Sequence, residues 1–223
     1  MNAPPAVNLR GVVHRFGRGY VLRGLSLSVQ SGEVLALHGA NGAGKTTLLR
    51  VLGTALSPTR GEGEILGFDL RDRLPIRAGS MLVSHALGLY PELTGEENLN
   101  FSSQMYGLSG ARGAALSALE RVGLAGVKPR VRAYSSGMRK RLALARALLI
   151  RPALLLLDEP FAALDPPGRE LTLALLAEWR DAGSTLILST HEPELAARVA
   201  TRHVTLGGGL LTELGGGLPG EGT

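Results

Sequence analysis

An α/β fold with two strands joined by a turn at the N-terminus and a helical insertion is predicted by three observations. The octapeptide Gly39-Ala40-Asn41-Gly42-Ala43-Gly44-Lys45-Thr46 reads G-x-x-x-x-G-K-[ST] directly after the apolar run Val34-Leu35-Ala36-Leu37. A second apolar run, Leu154 to Leu157, ends on the acids Asp158-Glu159. Between the two, from Leu93 to Ile150, the apolar spacing is helical, whereas strand and helix patterns alternate on either side.

Taken in order, Val7 to Phe16 and Val21 to Val29 alternate as strands, joined by the turn around Gly17-Arg18-Gly19. Strand Val34 to His38 leads into the glycines, and Thr47-Leu48-Leu49-Arg50-Val51-Leu52 continues with helical spacing. Gly61 to Gly67 reads as a short strand framed by turns, and Ser80 to Ser84 as another. Thr94-Gly95-Glu96-Glu97 has the form of a capping box, with Thr94 as N-cap and Glu97 at the third helical position. Pro129 separates two helical segments. Strand Leu154 to Leu157, helix Pro167 to Arg180, strand Thr185 to Leu188 and helix Glu194 to Val199 then alternate. The tail from Gly207 to Thr223 is Gly-rich and expected to be mobile, with room for a short strand at Leu210-Leu211. The expected organisation is one domain, 1–223. Segments 7–84 and 151–206 form its core, 85–150 a helical subdomain and 207–223 the tail.

With 223 residues and 44% hydrophobic content the chain can bury a large core. The net charge of +5 comes mostly from arginine, since lysine occurs only at Lys45, Lys128 and Lys140. Such a balance suits nucleotide phosphates, nucleic acid or an anionic membrane, and equally a solvated Arg-rich face. No basic block is interleaved with aromatics, which make up only 4% of residues, so nothing supports a base-stacking surface. The absence of cysteine removes disulfides, thiolate catalysis and iron–sulfur clusters, and fits a reducing compartment such as the cytoplasm. Met1-Asn2-Ala3-Pro4-Pro5 does not read as a secretory signal, and no apolar stretch approaches the roughly 18 residues of a membrane span. Any membrane role is therefore expected to run through a partner.

The octapeptide reads as a phosphate cradle. A strand that turns through glycines into a helix aims several backbone N–H groups into one concavity, where the helix dipole also favours negative charge. Lys45 is placed to reach the β- and γ-phosphates and Thr46 to ligate Mg²⁺. A chance Gly-rich turn is the alternative, and the strand before and helix after favour the cradle. Asp158 and Glu159 fall at the carboxyl end of a buried strand, the usual ligand edge of an open α/β sheet. Asp158 is placed to hold Mg²⁺ through its water shell and Glu159 to polarise the water that attacks the γ-phosphate. Alone, the pair reads equally as the first turn of a helix. His191, in Thr190-His191-Glu192-Pro193, is either an ordinary strand-to-helix turn or a γ-phosphate contact, and its place after an apolar strand favours the contact. None of the five histidines has metal-ligand spacing, so a zinc site is not expected.

Tyr134-Ser135-Ser136-Gly137-Met138, followed by Arg139-Lys140-Arg141-Leu142-Ala143-Leu144-Ala145-Arg146-Ala147, resembles the signature segment of ATP-binding cassette (ABC) ATPases, which implies a P-loop NTPase fold with a mixed sheet core, N-terminal antiparallel strands and a helical subdomain insertion. The resemblance runs from about Val7 to Leu206. It implies that Gly39 to Thr46 and Thr47 bind ATP, that Asp158-Glu159-Pro160 ends the Walker B strand with Asp158 on Mg²⁺, and that Glu159 is catalytic. It also implies that Ala163-Leu164-Asp165 is the D-loop, His191 the switch histidine and Phe16 the ring that stacks on adenine. Phe16 reads equally as a core aromatic of an alternating strand. Ser135 is a good N-cap for a helix whose amide end faces a phosphate. In the family that phosphate belongs to the nucleotide of the opposite subunit, so Ser135 and Gly137 are implied trans contacts in a head-to-tail pair of cassettes.

Two departures stand out. Where most cassettes carry a glutamine, this chain has Ser84-His85; an imidazole offers Mg²⁺ or its water one nitrogen acceptor and titrates near physiological pH. Ser136 and Met138 stand where Gly and Gln are commoner. The segment from His85 to Leu99 is similar to that of the ATPase subunits of haem-export complexes in cytochrome c maturation. The signature is more like that of ATPases of multidrug and polysaccharide exporters. The resemblance thus implies an exporter ATPase with haem export as the subtype. It works with transmembrane permease subunits and a second ATPase subunit, homodimeric or heterodimeric, on the cytoplasmic face of the membrane. The alternatives are a drug, lipid or polysaccharide exporter and a soluble ABC protein acting on ribosomes or DNA. A GTPase is disfavoured because no Asn-Lys pair occurs, and a small-molecule kinase because it would not need residues 134–147.

Overall fold

A computed structural model describes residues 4–84, 88–108 and 111–214, with side chains for all of these but 111 and 112. In chain order the elements are β1 (Val7–Phe16), β2 (Gly19–Val29), β3 (Val34–His38), α1 (Lys45–Leu52), β4 (Arg60–Ile65), β5 (Phe68–Asp69), α2 (Arg73–Gly79) and β6 (Ser80–Val83). There follow α3 (Gly95–Met105), α4 (Ala111–Arg121), α5 (Ser136–Ile150), β7 (Leu154–Asp158), α6 (Pro166–Asp181), β8 (Thr185–Ser189), α7 (Pro193–Ala197), β9 (Arg202–Gly207) and β10 (Leu210–Glu213).

The strands form two sheets. The first is antiparallel, in the order β2-β1-β4-β5. The second is mixed, in the order β10-β9-β3-β8-β7-β6, with β9, β3, β8, β7 and β6 parallel and β10 antiparallel to β9. The inner strands are buried on both faces, which explains their continuous apolar runs VLALH, LLLLD and TLILS. Their period of two then divides the core. Val34, Ala36, Leu155, Leu157, Leu186 and Leu188 join a cluster with α5 and α6 residues such as Leu144, Leu176 and Trp179. Leu35, Leu37, Leu154, Leu156 and Ile187 face the other way, onto Leu48, Leu49 and Leu52 of α1 and onto Val7, Leu22 and Leu25 of the antiparallel sheet. At about 1.5–3 kcal/mol for each fully buried aliphatic side chain, this double burial fixes the register of β3 against β8 and β7.

The stretch expected to be helical contains α3, α4 and α5, which pack through Leu99, Ala115, Leu119, Val122 and Leu142. The capping box forms in both directions: Glu97 N–H donates to Thr94 Oγ1 at 3.2 Å and Thr94 N–H to Glu97 Oε2 at 2.7 Å. No helix among the described residues is long and apolar enough to cross a membrane.

The structure differs from expectation at three places. The seven-residue α2, with the single buried residue Ile76, is too short to leave a periodic signal. β9 also went unread, because Arg202, His203 and Thr205 interrupt its apolar pattern. The tail strand runs further than the Leu210-Leu211 pair allowed for it: Leu210 to Glu213 pair with Gly207 to Val204, and Arg202 ties the edge down by donating to both Glu213 and Glu33. Residues 215–223 of that tail lie outside the described residues.

Candidate nucleotide site

The site is assembled where β3 and β7 end side by side around β8. Ser189, the last residue of β8, is in register with Leu37 on one side and Asp158 on the other. The chain leaves β3 through Gly39-Ala40-Asn41-Gly42-Ala43-Gly44 and enters α1 at Lys45. Two glycines are required sterically. Gly39 has φ +140, and a Cβ there would lie 2.4 Å from the Leu206 carbonyl oxygen; Gly44 has φ +107, and its Cβ would lie 2.8 Å from Val21 Cγ1. The loop therefore bends tightly against β2 and β9, and α1 starts with Gly44 as its cap and no side chain capping its first amides. Those free N–H groups and the positive end of the helix favour an anion.

A cavity of about 460 Å³ opens over this loop, lined by Val21, residues 40–47, Asp158, Glu159 and His191. Lys45 is 7% exposed, and its ammonium donates to the Gly39 carbonyl at 2.6 Å, the Ala40 carbonyl at 3.3 Å and His191 Nε2 at 3.1 Å. Burial pulls it below the ordinary lysine range, against the opposing pull of the Glu159 and Asp158 carboxylates. Thr46 Oγ1 donates to Asp158 Oδ2 at 2.8 Å, and Ser189 Oγ donates to Asp158 Oδ1 at 2.7 Å.

Glu159 is held by its backbone. Its φ is +53, a left-handed conformation that costs an L-residue about 1–2 kcal/mol. The Glu159 N–H donates to Ser189 O and Oγ, both at 3.1 Å, and Lys140 donates to the Glu159 carbonyl. Its Oε2 accepts from the His191 N–H at 3.3 Å. Its Oε1 is buried without a hydrogen-bond partner and lies 3.4 Å from His191 Nε2. The Lys45 ammonium lies 3.1 Å from the same nitrogen, and Glu159 is one of the residues that line the cavity.

This arrangement fits a nucleoside triphosphate with a divalent cation. The loop amides and Lys45 suit phosphate oxygens, and Glu159 Oε1 suits the proton of a water. No cluster of three or more His, Asp or Glu side chains among the described residues could hold a metal alone. The Thr46 hydroxyl and Asp158 carboxylate would instead supply one or two ligands and phosphate oxygens the others, the usual manner of Mg²⁺.

The cavity thus gathers Ala40 to Thr47, Asp158, Glu159 and His191, with Gly39 turning behind them. Other expected residues lie outside its lining. Phe16 ends β1, paired with Gly19 and edge-on to His14 at 4.7 Å; at 54% exposure it is no core aromatic. Ser135 caps α5 by accepting from Met138 N–H at 3.2 Å, and Gly137 sits in that first turn. Asp165 caps α6, accepting from Gly168 N–H at 3.1 Å. His85 lies outside the described residues. Sequence reasoning missed Ser189, whose only trace was a hydroxyl at the end of an apolar strand. It also missed His38, whose Nε2 lies 2.9 Å from His203 Nδ1, the two rings stacked behind the loop. Burial, His203 and Lys45 together depress His38 to a pKa of about 4.

A family model described as ABC transporter matches residues 22–162. The daunorubicin resistance ATP-binding protein DrrA3 of Streptomyces coeruleorubidus is 39% identical over 204 residues, which is 90% of this chain and 65% of that protein. The methionine import ATP-binding protein MetN of Mesorhizobium japonicum is 36% identical over 219 residues, 94% of this chain and 60% of that protein. This chain therefore spans less than two thirds of the length of either relative. Among solved structures, the ATP-binding cassette MJ0796, a dimer in a post-hydrolysis state bound to ADP and Pi, superposes with a TM-score of 0.85 at 28% identity. That match covers 95% of this chain and all of the other.

Proposed function

The chain belongs to the ABC transporter family, and from that premise we propose that it is the ATP-binding and ATP-hydrolysing subunit of an exporter, working through separate membrane subunits. The observation that carries the catalytic part is the place of Glu159 in the lining of the same cavity as Lys45 and the Thr46–Asp158 pair, with its Oε1 bound by no hydrogen-bond donor.

Bound Mg-ATP supplies the phosphoanhydride bond and the electrophilic γ-phosphorus. The loop amides and Lys45 hold its phosphates, and Thr46 and Asp158 would hold the cation, which would neutralise charge on the phosphate oxygens. Glu159 Oε1 takes a proton from a water as that water's oxygen bonds to the γ-phosphorus; the bond to the bridging oxygen breaks, and ADP and phosphate leave. His191 contacts the γ-phosphate side. Phe16 supports the adenine from the rim, and His85, which lies outside the described residues, would serve the cation or its water. Ser135, Gly137 and Asp165 complete the site of a second cassette, so that closure of the pair does mechanical work on the membrane subunits and hydrolysis releases it. The dimeric state of the similar MJ0796 cassette supports the pairing. The core, helical subdomain and tail keep the boundaries given above, and the chain works on the cytoplasmic face of the membrane.

For cargo, the resemblance of His85 to Leu99 supports haem export. A second reading, export of a drug-like compound, is supported by the similarity to DrrA3. A pull-down of the tagged chain from gently solubilised native membranes, with mass spectrometry of every copurifying subunit and small molecule, separates them. Haem-handling membrane subunits are expected for the first and a generic multispan permease for the second; soluble nucleic-acid partners would overturn transport.

A further inference from the structure

Lys140 lies in α5, little more than one turn beyond Ser135 and Gly137, and is absent from the nucleotide cavity. Its ammonium reaches the turn that follows β7, where it donates to the Glu159 carbonyl and, at 3.0 Å, to the Ala162 carbonyl. Two non-glycine residues of that turn are left-handed, Glu159 at φ +53 and Ala163 at φ +62. Such conformations persist only where the surroundings over-determine them. Around Glu159 both backbone groups are engaged: Ser189 takes the N–H, and the carbonyl accepts from Lys140 and, at 3.3 Å, from the Ala162 N–H. Burial lowers the proton affinity of Lys140, while Glu159, Asp158 and Glu192 pull the other way. A half-buried ammonium held by two backbone carbonyls differs from a freely solvated surface charge. The same end of α5 also packs closely on the turn, since a Cβ on Gly137 would meet the Ala163 carbonyl oxygen at 3.3 Å.

We propose that Lys140 is a positioning residue: it locks the backbone of Glu159 in its left-handed conformation and so links the position of the α5 N-terminus to the aim of the Glu159 carboxylate. The inference rests on Glu159 as the acceptor of the water's proton. Movement of the α5 end that carries Ser135 and Gly137 shifts the anchor of the ammonium that bonds the Glu159 carbonyl. Engagement of that end by a second cassette therefore reaches the carboxylate of this one through two hydrogen bonds.

The test compares Lys140→Met, which keeps the stem and removes the donors, with Lys140→Arg, which restores donors. In the full chain, Lys140→Met is expected to lower kcat for ATP on the order of 10- to 100-fold, as a misaimed catalytic group does. KM and ATP affinity should stay within about twofold, the split that marks loss of an interaction serving the transition state alone. Lys140→Arg is expected to recover most of kcat. Hydrogen exchange in the peptide covering 158–165 should rise in Lys140→Met and return in Lys140→Arg, a readout independent of turnover. Parental kcat in Lys140→Met, unchanged exchange in that peptide, or equal loss of kcat and melting temperature in both variants would each overturn the proposal. Glu159→Gln in the same assay separates the two claims. If it matches the parent, the role of Glu159 fails and takes this inference with it; if it is inactive while Lys140→Met is normal, only Lys140 is wrong.

Discussion

Thr46 Oγ1 donates to Asp158 Oδ2 across 2.8 Å, although the two residues are 112 positions apart in the chain. This bond joins the first turn of the helix after the cradle to the end of the acidic strand. Both oxygens are thereby held at one corner of the cavity, with Asp158 fixed from its other side by Ser189. A cation placed there meets a hydroxyl and a carboxylate whose spacing is set by the register of β3, β8 and β7 rather than by either loop alone.

Lys45→Ala removes a cation that is 7% exposed and aimed at the loop carbonyls and His191. A charge-assisted hydrogen bond contributes about 1.5–3 kcal/mol, so ATP affinity should fall by at least about tenfold. Titration with a fluorescent ATP analogue measures this, and unchanged affinity would contradict the cradle.

Gly39→Ala places a methyl 2.4 Å from the Leu206 carbonyl oxygen at φ +140. The chain should lose on the order of 1–3 kcal/mol of stability from backbone strain, with a parallel loss of nucleotide binding as the loop is displaced. Urea unfolding of the variant, read beside its ATP affinity, checks both.

His38 makes stability depend on pH. Its folded pKa of about 4 lies below the ordinary histidine value of 6.5, so between those values the unfolded chain binds more protons. The stability His38 contributes is complete above pH 6.5 and is lost as pH falls toward 4. The neighbours that face it are His203 and Lys45. The melting temperature should therefore fall across that window, and fall less steeply in His38→Gln.

Much of this was legible in the sequence because the local signals agreed with one another. The Gly39 to Thr46 spacing, the run into Asp158-Glu159 and the Thr94 capping box each need only a few neighbouring residues, and each occurs where expected. What escaped depends on contacts made across the chain. Ser189 matters because β8 lies between β3 and β7, an order that no single segment encodes. Lys140 reads in sequence as one member of the basic run Arg139-Lys140-Arg141, and only the packing of α5 on the turn after β7 brings its ammonium to the Glu159 carbonyl. β10 showed only as the pair Leu210-Leu211 among glycines, since its pairing with β9 and the hold of Arg202 on Glu213 are what extend and order it.

The central claim is that Glu159 is the acid through which this cassette hydrolyses ATP, and steady-state phosphate release by the parent chain and Glu159→Gln, at equal nucleotide occupancy, tests it most directly. The account predicts ATP affinity close to the parent's, turnover lower by about a hundredfold or more as for other positioned general bases, and accumulation of an ATP-bound dimer. Turnover equal to the parent's at equal occupancy would contradict it.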